Sequence, residues 1–286
     1  MSNGIAMRQN EEGSIAMLAA QRQLYSEAKN MAVLDTVLSV WVPFTLAILL
    51  LIFPNSNIIQ CASYMLAIVS MIFTFIIEQH IDNKKESAAY IQQKFDIHVY
   101  TMPWNEKLFG KDKDIYFEVA AYSKLILSKP EKKEKLYDWN ITTADSKSLD
   151  EGILTCQREN FWWDVGLRKR FKFISVAFIV ALVVFVFLLG VCKNETVGVL
   201  CCRVVFIAPM LKWLLLIVRR LDKDIKNLNK LDESINDSKK KTMEDLQYIQ
   251  QMIFEHRKSC YAIPNWVYTL FKNNDEDNAK RAENIY

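Results

Sequence analysis

The stretch TVLSVWVPFTLAILLLIFPNSNIIQCASYMLAIVSMIFTFII, Thr36 to Ile77, runs its whole length without one Asp, Glu, Lys, Arg or His. Helices of a soluble core alternate polar and apolar faces and have no use for an uncharged run of this length. A bilayer core of ~30 Å takes about 20 helical residues, so the run contains two spans. Pro54-Asn55-Ser56-Asn57 turns the chain between them. Span one is then about Thr36 to Phe53, and span two about Ile58 to Ile77. A second uncharged run, Phe173 to Cys192, makes span three. Lys193-Asn194-Glu195-Thr196 turns back into span four, about Val197 to Val218. The mean hydropathy of +0.02 conceals this contrast, because the remaining segments are densely charged.

Basic residues beside the spans set the orientation. Lys84, Lys85, Arg168, Lys169, Arg170, Lys172, Arg219, Arg220, Lys223 and Lys226 lie on one side. The opposite loops offer only Lys193, next to Glu195. The expectation is a multi-pass membrane protein with both termini cytoplasmic. The segment ahead of span one lacks a signal-peptide pattern. The regions expected are 1–35, a cytoplasmic helix; 36–78, hairpin one; 79–172, a cytoplasmic domain; 173–218, hairpin two; and 219–286, a helical region with a disordered tail after Lys272. The fold class is an all-α membrane protein with four transmembrane helices in two hairpins and a mostly helical cytoplasmic domain.

Span four carries Arg203 and Lys212. Charges inside a span can mark a conduction path or gate, or they can snorkel to the interfaces. The nine-residue step between them is about 900° of helix, so the two side chains point to opposite faces and cannot both line one pore. Pro43 and Pro209 are positioned to kink spans one and four.

Composition excludes several classes. Seven glycines leave no Gly-rich phosphate loop. A net charge of +3 is too small for bulk attraction to DNA or RNA polymers. Six cysteines include no CxxC pair and no metal-ligand spacing, and Cys192 with Cys201 or Cys202 is left open as a bridge. Scattered histidines (His80, His98, His256), with no HExxH, no nucleophile elbow and no P-loop, argue against an enzyme, a metal site or a cofactor.

Outside the spans, a helix after Ser14 leads without a breaker into span one. Ser148-Leu-Asp-Glu151 reads as a capping box opening the helix that becomes span three. Asp96 to Tyr100 alternates like a short strand. Thr101-Met-Pro-Trp-Asn105 marks a turn, and helical pieces follow at 113–128 and 130–138. Leu221, Ile225, Leu228, Ile235, Leu246, Ile249 and Ile253 form a seam broken around 236–241. Either a helical pair within the chain or an intersubunit coiled coil accounts for it, and the break favours the former.

The halves also echo one another. Gln21-Arg22 precedes the start of span one at Thr36 by almost the same stretch of chain as Gln157-Arg158 precedes the start of span three at Phe173. Each pair is followed by an aromatic, Tyr25 and Phe161. At about 1.5 Å per residue both pairs sit ~22–24 Å below the membrane, where they could face each other across a pseudo-symmetric cleft. Arg forks onto phosphate, Gln and Asn read base edges, and Tyr or Trp stacks on bases. Gln21, Arg22, Tyr25, Gln157, Arg158, Asn160, Trp162 and Trp163 make such an inventory. The bland alternative pairs the arginines with Glu27, Glu159 and Asp164 and packs the tryptophans between helices.

Leu18-Ala-Ala-Gln-Arg-Gln-Leu-Tyr25, Phe95-Asp96 with Pro103-Trp-Asn105, and Cys156-Gln-Arg-Glu-Asn160 with Trp162-Trp-Asp164 and Leu167-Arg168 resemble the bacterial four-transmembrane effectors associated with SMODS nucleotidyltransferases. The motifs cover about 8 to 170 and the hairpin plan extends to about 220. The resemblance adds Trp104, Asn105, Asp164 and Arg168 to the candidates. It implies an effector of cyclic-oligonucleotide antiphage signalling, with a cyclic di- or trinucleotide as ligand, a nucleotidyltransferase as functional partner, and a homo-oligomer that breaches the bilayer and aborts infection. An ion channel or small transporter not gated by nucleotide, with Arg203 or Lys212 in its path, is the competing expectation.

Overall fold

A computed structural model describes residues 2–53, 55–194, 196–237 and 241–271, without the side chains of 51, 142 and 200–206. Pro54, Glu195, Lys239, Lys240, the tail from Lys272, and the side chains of Cys201, Cys202 and Arg203 lie outside that description.

Every regular element among the described residues is helical. The chain runs α1 (Ile5–Gln9), α2 (Glu12–Thr36), a π segment (Val37–Trp41), α3 (Val42–Ile52), α4 (Asn57–Tyr100), α5 (Glu106–Phe109), α6 (Tyr116–Leu127) and α7 (Pro130–Glu134). A 3₁₀ turn (Thr142–Ser146), α8 (Leu149–Cys192), α9 (Val197–Asn236) and α10 (Met243–Ser259) complete it. The π segment has a local cause: Pro43 lacks the N–H that an α-turn would use, and the backbone widens just before it.

Among the described residues, three helical stretches are long and apolar enough to cross a membrane: Glu12–Leu50, Asn57–Tyr100 and Leu149–Cys192. α9 returns along α8 as the fourth rod, with Pro209 inside it. The result is an all-α membrane protein of two hairpins above a helical extramembrane layer. At about 1.5 Å per residue, α4 and α8, 44 residues each, are rods of ~66 Å that carry the spans deep into that layer. Ile59, Ser63, Leu66, Ser70, Phe73 and Ile77 are the less exposed residues of span two. They recur at alternating four and three, the seam that meets a neighbouring helix. Thr74 donates to the Asp35 carboxylate at 2.6 Å where this hairpin leaves the membrane. Val40 and Phe44 of span one pack with Met210, Trp213 and Leu214 of α9 and with Ile179 and Leu182 of α8, joining the hairpins. Lys212 is exposed on α9, about 9 Å along the helix from Val218, within snorkelling reach of the interface.

The extramembrane layer differs from the sequence reading in four places. Residues 96–100 are not a strand: α4 continues through Tyr100 because Phe95, Ile97, Val99 and Tyr100 bury into the main core from several sides. The helix stops at Thr101, which adopts φ 52°, with Met102 N–H closing onto the Ile97 carbonyl at 3.0 Å. The expected helices at 113–128 and 130–138 are shorter, Tyr116–Leu127 and Pro130–Glu134. Ser148 is the N-cap of α8, but its side chain makes no capping bond. The capping box that does form is Thr242 with Asp245, opening α10. The C-terminal seam closes within the chain: Leu228, Leu231 and Ile235 of α9 pack on Ile249 and Ile253 of α10, with Val165 of α8.

Small residues bring α2 and α4 together. Ala20, Leu24 and Ala28 recur every four residues on α2, and Ala20 and Leu24 pack with Ala88 and Ile91 of α4. Gly152, in the first turn of α8, is where the N-terminus docks: a Cβ there would lie 2.5 Å from Asn3 Nδ2 and 2.7 Å from the Ala144 carbonyl. Asn3 Nδ2 donates to that carbonyl at 2.7 Å.

Candidate functional site

α2 packs along α4 and α6, α8 packs along α9, and α10 lies against α4, α8 and α9. Between α2 on one side and α8 and α10 on the other, polar side chains fill the space. Arg22, Tyr25 and Lys29 fall within ~60° of one another on α2, and all three are half-buried. Tyr25 and Lys29 have Asp164 of α8 and Cys260 beyond α10 as shared electrostatic neighbours; Arg257 and Asp96 act on Tyr25, and Arg168 on Lys29. Arg22 has no hydrogen-bond or ion-pair partner among the described residues, and its charge acts on that of Lys29. The Tyr25 hydroxyl is buried without a partner, and burial pushes it far above the usual tyrosine range. Lys29 Nζ donates to Asn265 Oδ1 at 3.1 Å, and burial lowers its pKa.

Opposite that stripe are two linked networks. Nearer the membrane, buried Arg168 donates through Nε to Asp164 (3.0 Å) and through Nη1 to Asp224 (2.6 Å) and the Tyr261 carbonyl (3.2 Å). His256 Nε2 shares the same Asp164 oxygen at 2.6 Å. Burial alone would raise the Asp164 carboxyl. Arg168 and the His256 hydrogen bond outweigh it and hold the group well below the ordinary carboxylate range. Deeper, Asp96 Oδ2 of α4 accepts from Gln250 Nε2 (2.8 Å) and Arg257 Nη1 (2.5 Å). Gln250 Nε2 also reaches Gln93 Oε1 (3.0 Å), and Gln157 Nε2 donates to Gln250 Oε1 (3.1 Å) and the Leu246 carbonyl (3.0 Å).

This layer is incompletely satisfied. Tyr25 Oη, Gln93 Nε2, Asp96 Oδ1, Gln157 Oε1 and His256 Nδ1 are buried polar atoms with no hydrogen-bond partner among the described residues. Each such group costs about 1–3 kcal/mol, and these belong to groups in or facing the two networks around α10. Unsatisfied donors and acceptors, together with α2 cations that form no salt bridge among the described residues, describe a place whose chemistry suits an anionic, hydrogen-bonding guest.

The sequence candidates divide. Tyr25, Asp164 and Arg168, from the two distant motifs, meet here with Arg22 beside them. The Gln-Arg pairs themselves do not face each other: Gln21 is buried on α2, Gln157 is tied to α10, and Arg158 is exposed. Asn160 Nδ2 bonds back to the Cys156 carbonyl at 3.1 Å. Trp162 and Trp163 meet edge to face at 5.4 Å and line a groove of about 270 Å³ with Val165, Gly166, Lys169 and Arg170. Trp104 belongs to a distal aromatic cluster with Tyr90 and Phe109, its indole N–H on the Gly110 carbonyl. Asn105 caps α5. Both belong to the turn at 101–105 that ends α4, and Asn105 Nδ2 donates to Gln247 Oε1 of α10 at 3.4 Å. Glu27 pairs with Lys84 rather than with Arg22. Sequence reasoning missed Lys29, Gln93, Asp224, Gln250, His256 and Arg257. The available signal was faint: Gln250 and Arg257, seven residues apart, share one face of α10, while His256 lies ~100° round from Arg257. Among the described residues no group of metal-ligating side chains occurs.

A probable CBASS effector molecule of Bacillus cereus (strain VD146) is 22% identical over 287 residues, covering 94% of each chain. No solved structure matches. The model of the SMODS-associating 4TM effector domain matches residues 3–284. With two membrane hairpins standing on one polar helical layer and a family match running almost from end to end, this chain belongs to the SMODS-associating four-transmembrane effector family.

Proposed function

We propose that the protein is an antiphage CBASS effector that binds a cyclic di- or trinucleotide in the α2–α8–α10 cleft on its cytoplasmic side and then permeabilises the inner membrane. In this reading both termini are cytoplasmic, a nucleotidyltransferase supplies the ligand, and copies of the chain assemble in the bilayer. The observation that carries it is the Arg22, Tyr25, Lys29 stripe. Two half-buried cations that form no salt bridge among the described residues, and a buried phenol without a hydrogen-bond partner among them, line a helix that runs, through the π segment, straight into span one.

The chemistry follows from those groups. Phosphodiester oxygens accept from Arg22 and Lys29, and the Tyr25 ring and hydroxyl offer a stacking face and a donor. Arg257 and Arg168, already committed to Asp96 and Asp164, shape the far wall and keep its carboxylates from repelling the ligand. A ligand moves an equilibrium only by its preference for one state. Drawing α2 toward α10 rewards a state in which span one has shifted against spans three and four, and the contact that would yield is Val40 and Phe44 on Met210 and Leu214.

The test is binding by detergent-solubilised protein across a panel of cyclic di- and trinucleotides, followed by thermal shift and calorimetry. Each charge-assisted contact is worth ~1.5–3 kcal/mol, so Arg22→Ala and Lys29→Ala should each weaken binding at least tenfold without lowering thermal stability. Wild-type affinity in both variants would remove the cleft as the site.

A further inference from the structure

After α10 the chain turns along the membrane-proximal end of hairpin two and forms a helical segment over 265–271. Ile263 and Val267 are buried against Phe171, Ile217 and Leu221. Tyr261 stacks on the Phe171 ring (6.2 Å, 20°), and Trp266 meets the same ring edge-on at 6.0 Å. Phe171 stands two residues before the uncharged run of α8, and Ile217 lies inside the apolar half of α9. The segment therefore sits at the level where both rods leave the bilayer.

Its two faces differ. Val267 and Phe271, four residues apart, turn toward the hairpin. Trp266 and Leu270, also four apart, are 55% and 64% exposed, with Trp266 keeping a ring edge on Phe171, while Tyr268, 45% exposed, lies on the far side of the helix. Arg170 lies over the Phe271 ring at 5.1 Å, and Arg219 and Arg220 are exposed at the adjoining end of α9. An exposed tryptophan and leucine on one side, a tyrosine on the other and arginines at the rim make the residue set that seats at a headgroup layer, rings in the interface and guanidinium groups on phosphate.

We propose that 265–271 is an interfacial anchor, docked in the headgroup region of the bilayer that the spans cross. The lipid surface is the occupant because the segment packs on Phe171 and Ile217, where both rods leave the bilayer, and the exposed Trp266 and Leu270 stand at the level of the exposed cations Arg219 and Arg220. The anchor has a mechanical consequence. α10 is fixed to α4 by Gln250 and Arg257 on Asp96, the chain just beyond its C-terminal end is held at the membrane surface, and Lys29 of α2 bonds to Asn265 within the anchor itself.

The experiment uses the full chain in phosphatidylcholine/phosphatidylglycerol vesicles containing lipids spin-labelled at the headgroup, at carbon 5 or at carbon 16. The Trp266 contribution is isolated as the emission difference between wild type and Trp266→Phe, a change that keeps a ring against Phe171. The difference signal should be lost with headgroup and carbon-5 labels and retained with the carbon-16 label. Leu270→Trp in the Trp266→Phe background should restore a signal with the same depth profile. A difference signal untouched by every labelled lipid overturns the proposal. So does a signal that responds instead to dilution of the protein in unlabelled lipid, which would assign this face to a second copy of the chain.

Discussion

Arg168→Met removes the guanidinium that joins α8, α9 and the segment after α10. In the wild type its side chain is 4% exposed and satisfies Asp164, Asp224 and the Tyr261 carbonyl together. Methionine fills similar volume but leaves the Asp164 and Asp224 carboxylates, 29% and 7% exposed, without their shared cation. Asp164 keeps His256 at 2.6 Å, and Asp224 keeps the Tyr261 N–H at 2.9 Å. Breaking a buried pair from one side costs about 3–5 kcal/mol. At ~2–4 °C per kcal/mol for a cooperative unit of this size, the melting temperature in detergent at pH 7 should fall by about 10 °C. The pH dependence carries the sign. Wild-type Asp164 is depressed, so its contribution is complete above the unfolded carboxylate value, near 4, and is lost only as pH falls below it. In the variant, burial without Arg168 raises the carboxyl, the charged form becomes the penalty, and the gap to wild type should narrow from pH 7 to pH 4.5. A variant that melts within about 2 °C of wild type, or a gap that widens as pH falls, would refute the assignment of Arg168 as the pin of this layer.

Tyr25→Phe removes a buried hydroxyl that has no protein partner, so thermal stability should hold or rise by ~1 kcal/mol while ligand affinity falls; a clear loss of stability in melting curves would contradict it. Gly152→Ala drives a Cβ to 2.7 Å from the Ala144 carbonyl and should cost about 1–3 kcal/mol in the same assay, with the N-terminal segment becoming the first site of limited proteolysis. Cys156 is buried and its thiol is pushed up by burial, reinforced by Glu159. It should resist alkylation at pH 8 in folded protein and react after denaturation, which mass spectrometry reads directly.

The membrane plan was legible because its signal is compositional. Two uncharged runs, one with an internal turn, force hairpins whatever the packing below. The helices leading into spans one and three were readable for the same reason: no Pro interrupts the approach from Ser14 or from Leu149. The error at 96–100 arose where tertiary burial overrode a local pattern. Asp96 and His98 look like the polar face of a strand, yet Asp96 is an interior ion-pair partner on a helix buried on more than one side. The cleft was half legible. Tyr25, Asp164 and Arg168 stood in motifs conspicuous for their polar content beside apolar helices. Their partners on α10 did not, because His256 and Arg257 lie among Glu255 and Lys258, and only the packing of α10 against α4 and α8 separates inward charges from outward ones. The echo between the halves did not translate into contact: equal depth did not bring Gln-Arg to Gln-Arg, since α10 occupies the space next to Gln157.

The most direct test of the central claim is dye release. Full-length protein reconstituted into liposomes loaded with a self-quenched fluorophore is exposed, on the side bearing the helical layer, to each member of a cyclic di- and trinucleotide panel. The account predicts rapid release with at least one cyclic nucleotide, none with its linear counterpart, and loss of that response in Arg22→Ala and Lys29→Ala at equal protein content. Vesicles that stay sealed against the whole panel, or that leak equally from wild type and both variants, would contradict it.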